Sequence, residues 1–236
     1  MAQVQDRVRC PRPIGAATLK EAYFNWLGGL GRLTASGPQI GRGAAILLRF
    51  GPPTALEQGW RWPITGGLLT RRPGGEMRLQ WEEGELLLTV SGYSPRLPSR
   101  LYSLFQIPAH HLVSRLFLLQ LRGPMPAPGM PGPPLPRLAA AGLDLALVAL
   151  AGRRWRRHPW SGVLALAAAY HLIAWSWGGR TVGARCLGLK VVARDGSPLS
   201  AGQALVRLLA APLSLPLRGA LHDRLAQSEV VRPHAD

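Results

Sequence analysis

The sequence predicts a chain of two parts: an N-terminal mixed α/β (α+β) soluble domain and a C-terminal α-helical membrane domain with a small polar β-type excursion. Two observations indicate this division. The segment GPMPAPGMPGPPLP, residues 123–136, has seven prolines in fourteen residues, which excludes a regular helix or central strand. The three longest apolar runs all follow it. We therefore expect an α+β domain at 1–122, a semi-rigid linker at 123–136, an α-helical membrane domain at 137–231 and a tail at 232–236.

The first part of the N-terminal domain mixes helical and extended patterns. Residues 16–33 are helical in pattern at first and then reach a run of glycines, where the helix should break. AAILLRFG, residues 44–51, is a short continuous apolar run and is predicted as a buried strand. Residues 100–121 are predicted as a helix that is interrupted by Pro108.

A hairpin is the clearest signal in this domain. In EMRLQWE the apolar residues Met77, Leu79 and Trp81 alternate with polar neighbours, as in a half-buried strand. EEGE at 82–85 is a turn, and LLLTVSGY follows as the partner strand. The domain's tryptophans are expected in the core rather than in a ligand pocket: Trp26, Trp60, Trp62 and Trp81.

Composition narrows the class of protein. Hydrophobic residues make up 47% of the chain, and the formal net charge is +16. Such a charge fits nucleic acid, an anionic membrane surface or the basic loops of a membrane protein. No basic tail or aromatic-interleaved basic patch stands out, so we favour the membrane and expect no nucleic-acid partner. The N-terminus has no apolar signal-peptide core, which predicts a cytoplasmic location for the first domain.

Motifs for catalysis and metal binding are missing from the sequence. Cys10 and Cys186 are too far apart for a Cys-x-x-Cys motif and are predicted to be free thiols. His110 and His111 are adjacent, which is a poor spacing for two ligands on one helix. The glycines at 29–43 form neither a dinucleotide-binding nor a Walker pattern. We therefore expect no enzyme activity, no cofactor and no metal.

Three apolar runs follow the proline-rich segment. Leu138–Ala151 is short for a membrane span. Trp160–Trp177 rises about 27 Å as a helix, close to one hydrocarbon thickness, and tryptophans stand at both ends. Leu208–Leu217 has ten residues and two prolines, which favours an interfacial or re-entrant segment. The basic loop at 152–159 and the basic stretch after Trp177 leave the topology open, because the positive-inside rule places both in the cytoplasm.

Asp144 stands near the middle of the first apolar run. A carboxylate inside a membrane costs about 2.5–3.5 kcal/mol on insertion scales, so it normally faces protein or water. Arg137 lies two helical turns earlier on nearly the same face, too far along the axis for a close pair. Periodicity leaves open a second interpretation, a buried helix of a soluble domain with a hydrogen-bonded aspartate.

Several downstream motifs occur in a fixed order: GRTVGARCLGLKVV (179–192), DGSPLS (195–200) and LHDRLA (221–226). Together they resemble the RDD family of small membrane proteins. The resemblance covers about 95 residues. The family's Arg and two Asp correspond to Arg137, Asp144 and Asp223.

The sequence departs from the family pattern at one membrane helix, which is shortened or lost here. The family usually has a full membrane helix between the segment that contains Arg207 and the His-Asp-Arg motif. Here residues 208–220 separate them, and two of these are proline. Ser228 stands where the family prefers Thr. One copy of the chain is therefore expected to lack a complete transport path, and self-association would be needed to restore it.

The polar excursion at 178–200 should lie at the membrane surface. We expect Arg180, Thr181, Arg185 and Lys190 to contact the interface and its lipid phosphates. Anchoring at the interface is favoured over a ligand site for these residues.

Two functions remain open. The resemblance implies an inner-membrane protein that takes part in cation/proton exchange, in which Asp144 binds a monovalent cation or proton and Arg137 and Asp223 set its charge. His171 would be a proton relay in that case, although a lone histidine in an apolar helix is more often a packing residue. The alternative is a non-transporting anchor or adaptor. Its polar network would be structural, and its N-terminal domain would bind a protein partner or an apolar ligand.

Overall fold

The computed structural model describes residues 2–123, 129–152, 159–214 and 220–233. The chain divides into two compact units, Met1–Gly123 and Pro124–Asp236. Within the proline-rich segment, residues 124–128 lie outside the described residues. The rest is not a plain spacer, because Met130 and Pro131 form a short strand and a helix begins at Pro134. Proline is compatible with the first turn of a helix, where its missing N–H has no partner in any case.

The N-terminal unit is built on one antiparallel sheet. Its strand order is β1-β8-β7-β6-β4-β3-β2, and β5 pairs with β6 outside this path. The strands are β1 (Ala2–Arg9), β2 (Gly31–Thr34), β3 (Gly37–Arg42), β4 (Ala45–Phe50), β5 (Thr54–Leu56), β6 (Gly59–Gly66), β7 (Glu76–Glu82) and β8 (Glu85–Tyr93).

The predicted hairpin is confirmed as β7 and β8. Met77 pairs with Val90 and Leu79 pairs with Leu88, and all four side chains are buried. The turn residues Glu83 and Gly84 both have positive φ, at 49° and 85°. Two positive φ angles are typical of the type I′ turn, whose twist matches that of the strands it joins.

Two strands differ from the sequence expectation. The predicted strand at 44–51 exists as β4, but only Phe50 is buried in it, so an apolar run was a poor guide to burial. β1 was not predicted, because its buried residues Val4 and Val8 are separated by glutamine, aspartate and arginine. It pairs along its length with β8 at the edge of the sheet.

Helix α1 (Ala16–Trp26) covers the sheet and ends where the glycines begin, as predicted. Phe24 packs edge-to-face on Phe50 and on Trp62, with ring centroids 5.5 and 5.6 Å apart. Trp62 is fully buried, which agrees with its assignment to the core. The other three tryptophans are half-buried and each donates its indole N–H to another part of the unit.

The long helical segment at the end of this unit changes its pitch. It begins as α2 (Ser99–Leu101), passes through a π-helical turn at Tyr102–Gln106 and continues as α3 (Ile107–Arg122). Pro108 stands just after this turn. Proline lacks an N–H and crowds the carbonyl four residues earlier, and a π turn accommodates both effects. The predicted interruption is therefore a local widening of the helix.

The C-terminal unit combines five helices with a small sheet in its described residues. The sheet has the antiparallel order β10-β11-β9. The elements are β9 (Met130–Pro131), α4 (Pro134–Gly152), α5 (Pro159–Trp177), α6 (Val182–Cys186), β10 (Lys190–Ala193), α7 (Ala201–Ser214), α8 (Leu221–Leu225) and β11 (Ser228–Arg232). The predicted β-type excursion is thus the short helix α6 followed by β10.

Helix α4 has a narrow buried stripe. Ala140, Asp144, Val148 and Gly152 recur every four residues, so they share one face. The other faces are exposed and carry six leucines: Leu135, Leu138, Leu143, Leu145, Leu147 and Leu150.

By length and apolar composition, α4 is the one helix of the described part that could cross a membrane. It is longer than the run Leu138–Ala151 from which it was predicted. The apolar stretches Ser161–Trp177 and Ala201–Leu213 are shorter. In the basic loop at 152–159, residues 153–158 lie outside the described residues.

Candidate functional site

Asp144 of α4 accepts hydrogen bonds at the beginning of α6. Its Oδ1 accepts the backbone N–H of Gly183 at 2.8 Å and the hydroxyl of Tyr170 at 2.6 Å. The same hydroxyl accepts the N–H of Val182 at 2.7 Å. Thr181 is the N-cap of α6, and its Oγ1 accepts the N–H of Ala184 at 3.2 Å. The first-turn amides of a helix have no partner inside it, and here three of them are satisfied by side chains.

The close approach of α6 to α4 depends on a glycine. A Cβ atom on Gly183 would stand 2.2 Å from the carbonyl oxygen of Ala140. Ala140 precedes Asp144 by one helical turn, so the backbone of α6 lies directly on the buried stripe of α4. Only a residue without a side chain lets the amide reach the carboxylate.

Asp223 of α8 forms a second centre. Arg137 donates from Nη2 to its Oδ2 at 2.7 Å, and Arg207 donates to its Oδ1 in a very short contact. Ser228 accepts from Arg207 at 2.7 Å and donates to Oδ1 of Asp223 at 3.1 Å. Each carboxylate oxygen of Asp223 therefore accepts a hydrogen bond from a guanidinium. Through these contacts one side chain connects α4, α7, α8 and β11.

Arg207 is the most enclosed charge of this centre, with 4% of its surface exposed. Its guanidinium lies 5.1 Å from the ring centroid of Trp175, a cation–π distance. His222 lies beside the carboxylate, with Nε2 3.5 Å from Oδ2 of Asp223. Burial, followed by the positive charges of Arg207 and Arg137, lowers the pKa of His222 to about 4. The imidazole is therefore neutral near pH 7, and Asp223 is balanced by the two arginines.

The two centres offer binding groups rather than a nucleophile. Asp223 is engaged on both oxygens. Asp144 is 3% exposed, and both of its hydrogen bonds fall on Oδ1, so Oδ2 has no protein donor among the described residues. No cluster of three or more potential metal ligands occurs in the described part of the chain.

The structure brings together part of the predicted polar network. Arg137 and Asp223 form a direct ion pair, whereas Asp144 has its own partners on α5 and α6. His171 hydrogen-bonds to the carbonyl of Ala167 in its own helix at 2.8 Å. The preceding residue, Tyr170, is the one that reaches Asp144.

The predicted interface residues divide into two kinds. Arg180 and Arg185 are exposed and Lys190 is half-buried in β10. Thr181 is 4% exposed because its side chain caps α6, so it belongs to the interior of the unit rather than to its surface.

Sequence reasoning missed four contributors to these centres. Arg207 and Ser228 were noted as landmarks of the family pattern but not as partners of Asp223. Tyr170 was a signal in the sequence, because a hydroxyl within an apolar helix needs a partner when it is buried. The amide of Gly183 carries no side-chain signal beyond the glycine itself.

Comparison with known proteins supports the assignment of the C-terminal part. The model of the RDD family matches residues 155–227. This range includes Arg207 and Asp223 and begins after Arg137 and Asp144. No curated protein and no solved structure matches the chain. The predicted resemblance is confirmed in the C-terminal part of the chain, and the match to the RDD family model indicates a membrane protein.

Proposed function

We propose that the chain is an integral membrane protein whose C-terminal unit is an anchor held together by two buried carboxylates, with the N-terminal domain in the cytoplasm as an adaptor. The observation that carries this proposal is the outward face of α4. Six leucines are exposed around a stripe that is closed by protein contacts. Exposure of such an apolar surface to water has an unfavourable free energy, whereas contact with lipid chains does not.

The carboxylates support a structural role. Each connects elements that are distant in sequence, and each is engaged by donors that belong to the protein. A buried ion pair contributes little net stability, but the loss of one partner leaves an uncompensated charge. The network therefore favours one arrangement of the helices over others.

The test is membrane extraction of the full chain and of Leu145→Glu/Leu147→Glu. Carbonate should leave the unmodified chain in the membrane, and detergent should release it. The double variant should be carbonate-soluble or degraded, because it places two carboxylates in lipid. Leu30→Glu/Leu33→Glu, at exposed leucines of the N-terminal unit, is the matched control and should behave like the unmodified chain. Release of the unmodified chain by carbonate alone would contradict the proposal.

Ion transport is the second candidate, and it is favoured by Oδ2 of Asp144, which has no donor among the described residues. Such a carboxylate oxygen inside an apolar helix is a suitable ligand for a proton or a monovalent cation. Self-association would have to complete the path. Cation and proton flux should then be measured in proteoliposomes with the unmodified chain and with Asp144→Asn. Loss of flux in a variant that melts normally in detergent supports transport, and equal flux in both contradicts it.

A further inference from the structure

Two loops form a common surface at one end of the N-terminal sheet. Residues 67–75 connect β6 to β7, and residues 94–98 leave the end of β8, so both emerge at the same end. The N–H of Arg71 donates to the carbonyl of Ser94 at 2.8 Å, which joins the loops. The turns at 57–58 and 83–84 lie at the opposite end of the sheet.

This surface exposes large apolar side chains. It continues into α2 and the π turn, where Leu104 is 65% and Phe105 is 62% exposed. Leu97 and Leu101 are exposed beside them, whereas Tyr102 is buried on the inner side. A contiguous apolar group of this kind on a soluble domain indicates a surface that contacts a partner or a membrane.

Arginines surround these apolar residues. The basic–apolar face comprises two sets of exposed side chains: Leu97, Leu101, Leu104 and Phe105 with Arg71, Arg72, Arg96 and Arg100. None of its four arginines forms an ion pair with another described residue. The sequence has no aspartate or glutamate between Glu85 and Asp144, nor within residues 67–75. The side chains that form the face therefore carry only positive charge, and Glu76, which follows the first loop, is paired with Arg61 and Arg78.

A cleft of about 800 Å³ opens into this face. The hydroxyl-bearing residues Ser94, Ser99, Ser103 and Tyr102 contribute to its lining, together with Arg72. Hydroxyl donors beside a guanidinium match the oxygens of a phosphate group.

We propose that the basic–apolar face docks the N-terminal unit on an anionic phospholipid bilayer. The leucines and Phe105 enter the boundary between headgroups and acyl chains, and the arginines and the cleft meet the lipid phosphates. Charge complementarity carries this choice of partner, together with the exposed leucines, because aliphatic side chains gain nothing from a nucleic-acid backbone. The inference rests on the proposed function in one respect, because the bilayer is the same one that anchors the C-terminal unit.

The experiment uses the full chain with an environment-sensitive fluorophore on Ser103→Cys in a Cys186→Ser background. Cys10 is buried and stays in place. The protein is reconstituted into nanodiscs of phosphatidylcholine alone or mixed with phosphatidylglycerol, with a lipid-borne quencher. A label on Gln58→Cys, at the opposite end of the sheet, is the positional control. The charge variant of the face is Arg71→Gln/Arg96→Gln/Arg100→Gln. Its matched control is Arg7→Gln/Arg9→Gln/Arg12→Gln, which removes the same number of positive charges toward the opposite end of the sheet.

Docking predicts that the label at 103 is quenched more strongly in anionic nanodiscs than in phosphatidylcholine and that the label at 58 is not. The charge variant should lower the ratio of docked to undocked protein by about fivefold for each arginine. The matched control should leave the ratio unchanged. Equal quenching at 103 and 58, or no dependence on lipid charge, would overturn the docking. Carbonate extraction of the same protein reports on the anchor separately, so failure of the docking is distinguishable from failure of the proposed function.

Discussion

The amide of Gly183 donates to Oδ1 of Asp144 over 2.8 Å, and this contact joins residues that are 39 positions apart in the chain. It explains why an apolar helix carries a carboxylate at its centre. The carboxylate is the partner of an amide at the start of α6, a group that would otherwise be buried without an acceptor.

Replacement of Asp144 should separate hydrogen bonding from charge. Asp144→Asn keeps an oxygen that can accept both donors, so the full chain should melt in detergent close to the unmodified protein. Asp144→Leu leaves the Gly183 amide and the Tyr170 hydroxyl without an acceptor and should destabilise the unit by about 1–3 kcal/mol. Thermal unfolding in detergent measures both. If Asp144→Leu is as stable as the unmodified protein, the capping role is wrong.

The contact between α6 and α4 should tolerate no side chain at Gly183. Gly183→Ala places a Cβ 2.2 Å from the carbonyl oxygen of Ala140 and should displace α6, with loss of the Asp144 hydrogen bond. The matched control is Gly142→Ala on α4, where a Cβ would meet no atom within 4 Å. Alanine is also the better helix former there, by about 1 kcal/mol. Hydrogen exchange of the segment 182–186 should rise in the first variant and stay unchanged in the second.

At the Asp223 centre, the loss of two partners should cost less stability than the sum of the two separate losses. Asp223→Asn leaves Arg207 buried without a counter-charge and should cost about 3–5 kcal/mol. Asp223→Asn combined with Arg207→Gln should be less destabilised than the sum of the two single variants. The free energies of unfolding in detergent form a double-mutant cycle. Additive values would show that the two side chains do not interact.

His110 should make stability depend on pH in the N-terminal unit. Its Nε2 is buried without a partner among the described residues. Burial, followed by the charge of His111, lowers the pKa of His110 from its ordinary value of 6.5 to about 4. Between these values the unfolded chain binds a proton that the folded chain does not, so stability falls as pH drops through this window, by about 3 kcal/mol in total.

The matched variant for this effect is His110→Leu. It should flatten the pH dependence between about 6.5 and 4, and it should leave stability at neutral pH equal or higher, since no buried donor or acceptor is left unpaired. The comparison is the difference in melting temperature between the two proteins at each pH. A constant difference across the window would contradict the assignment to His110.

Periodic elements were predictable from the sequence and contact partners were not. The hairpin of β7 and β8 follows from strict alternation and a two-residue turn, both of which are local properties. β1 alternates in the same way but less clearly, because polar and charged residues separate its buried valines. Its partner strand β8 also lies far along the chain. Pairing at such distance is a tertiary property, and a single sequence carries little signal for it.

The site shows the same limit. The acidic and basic residues of the C-terminal unit could be identified because charges are rare in apolar segments. Their pairing could not, since helical spacing places Arg137 and Asp144 on one face and says nothing of Asp223. The distinction between Tyr170 and His171 also depends on a rotation of α5 by one residue, which a nearly uniform apolar helix does not specify.

The ion pair of Arg137 with Asp223 has a consequence for the order of assembly. The two residues are 86 positions apart, so α4 leaves the ribosome long before its counter-charge has been made. Ser228 and β11, which pairs with both β9 and β10, come later still. During synthesis, Arg137 and Arg207 must therefore be without their carboxylate partner until the segment 223–232 arrives. The arrangement of the helices around the Asp223 centre can therefore be completed only at that late step.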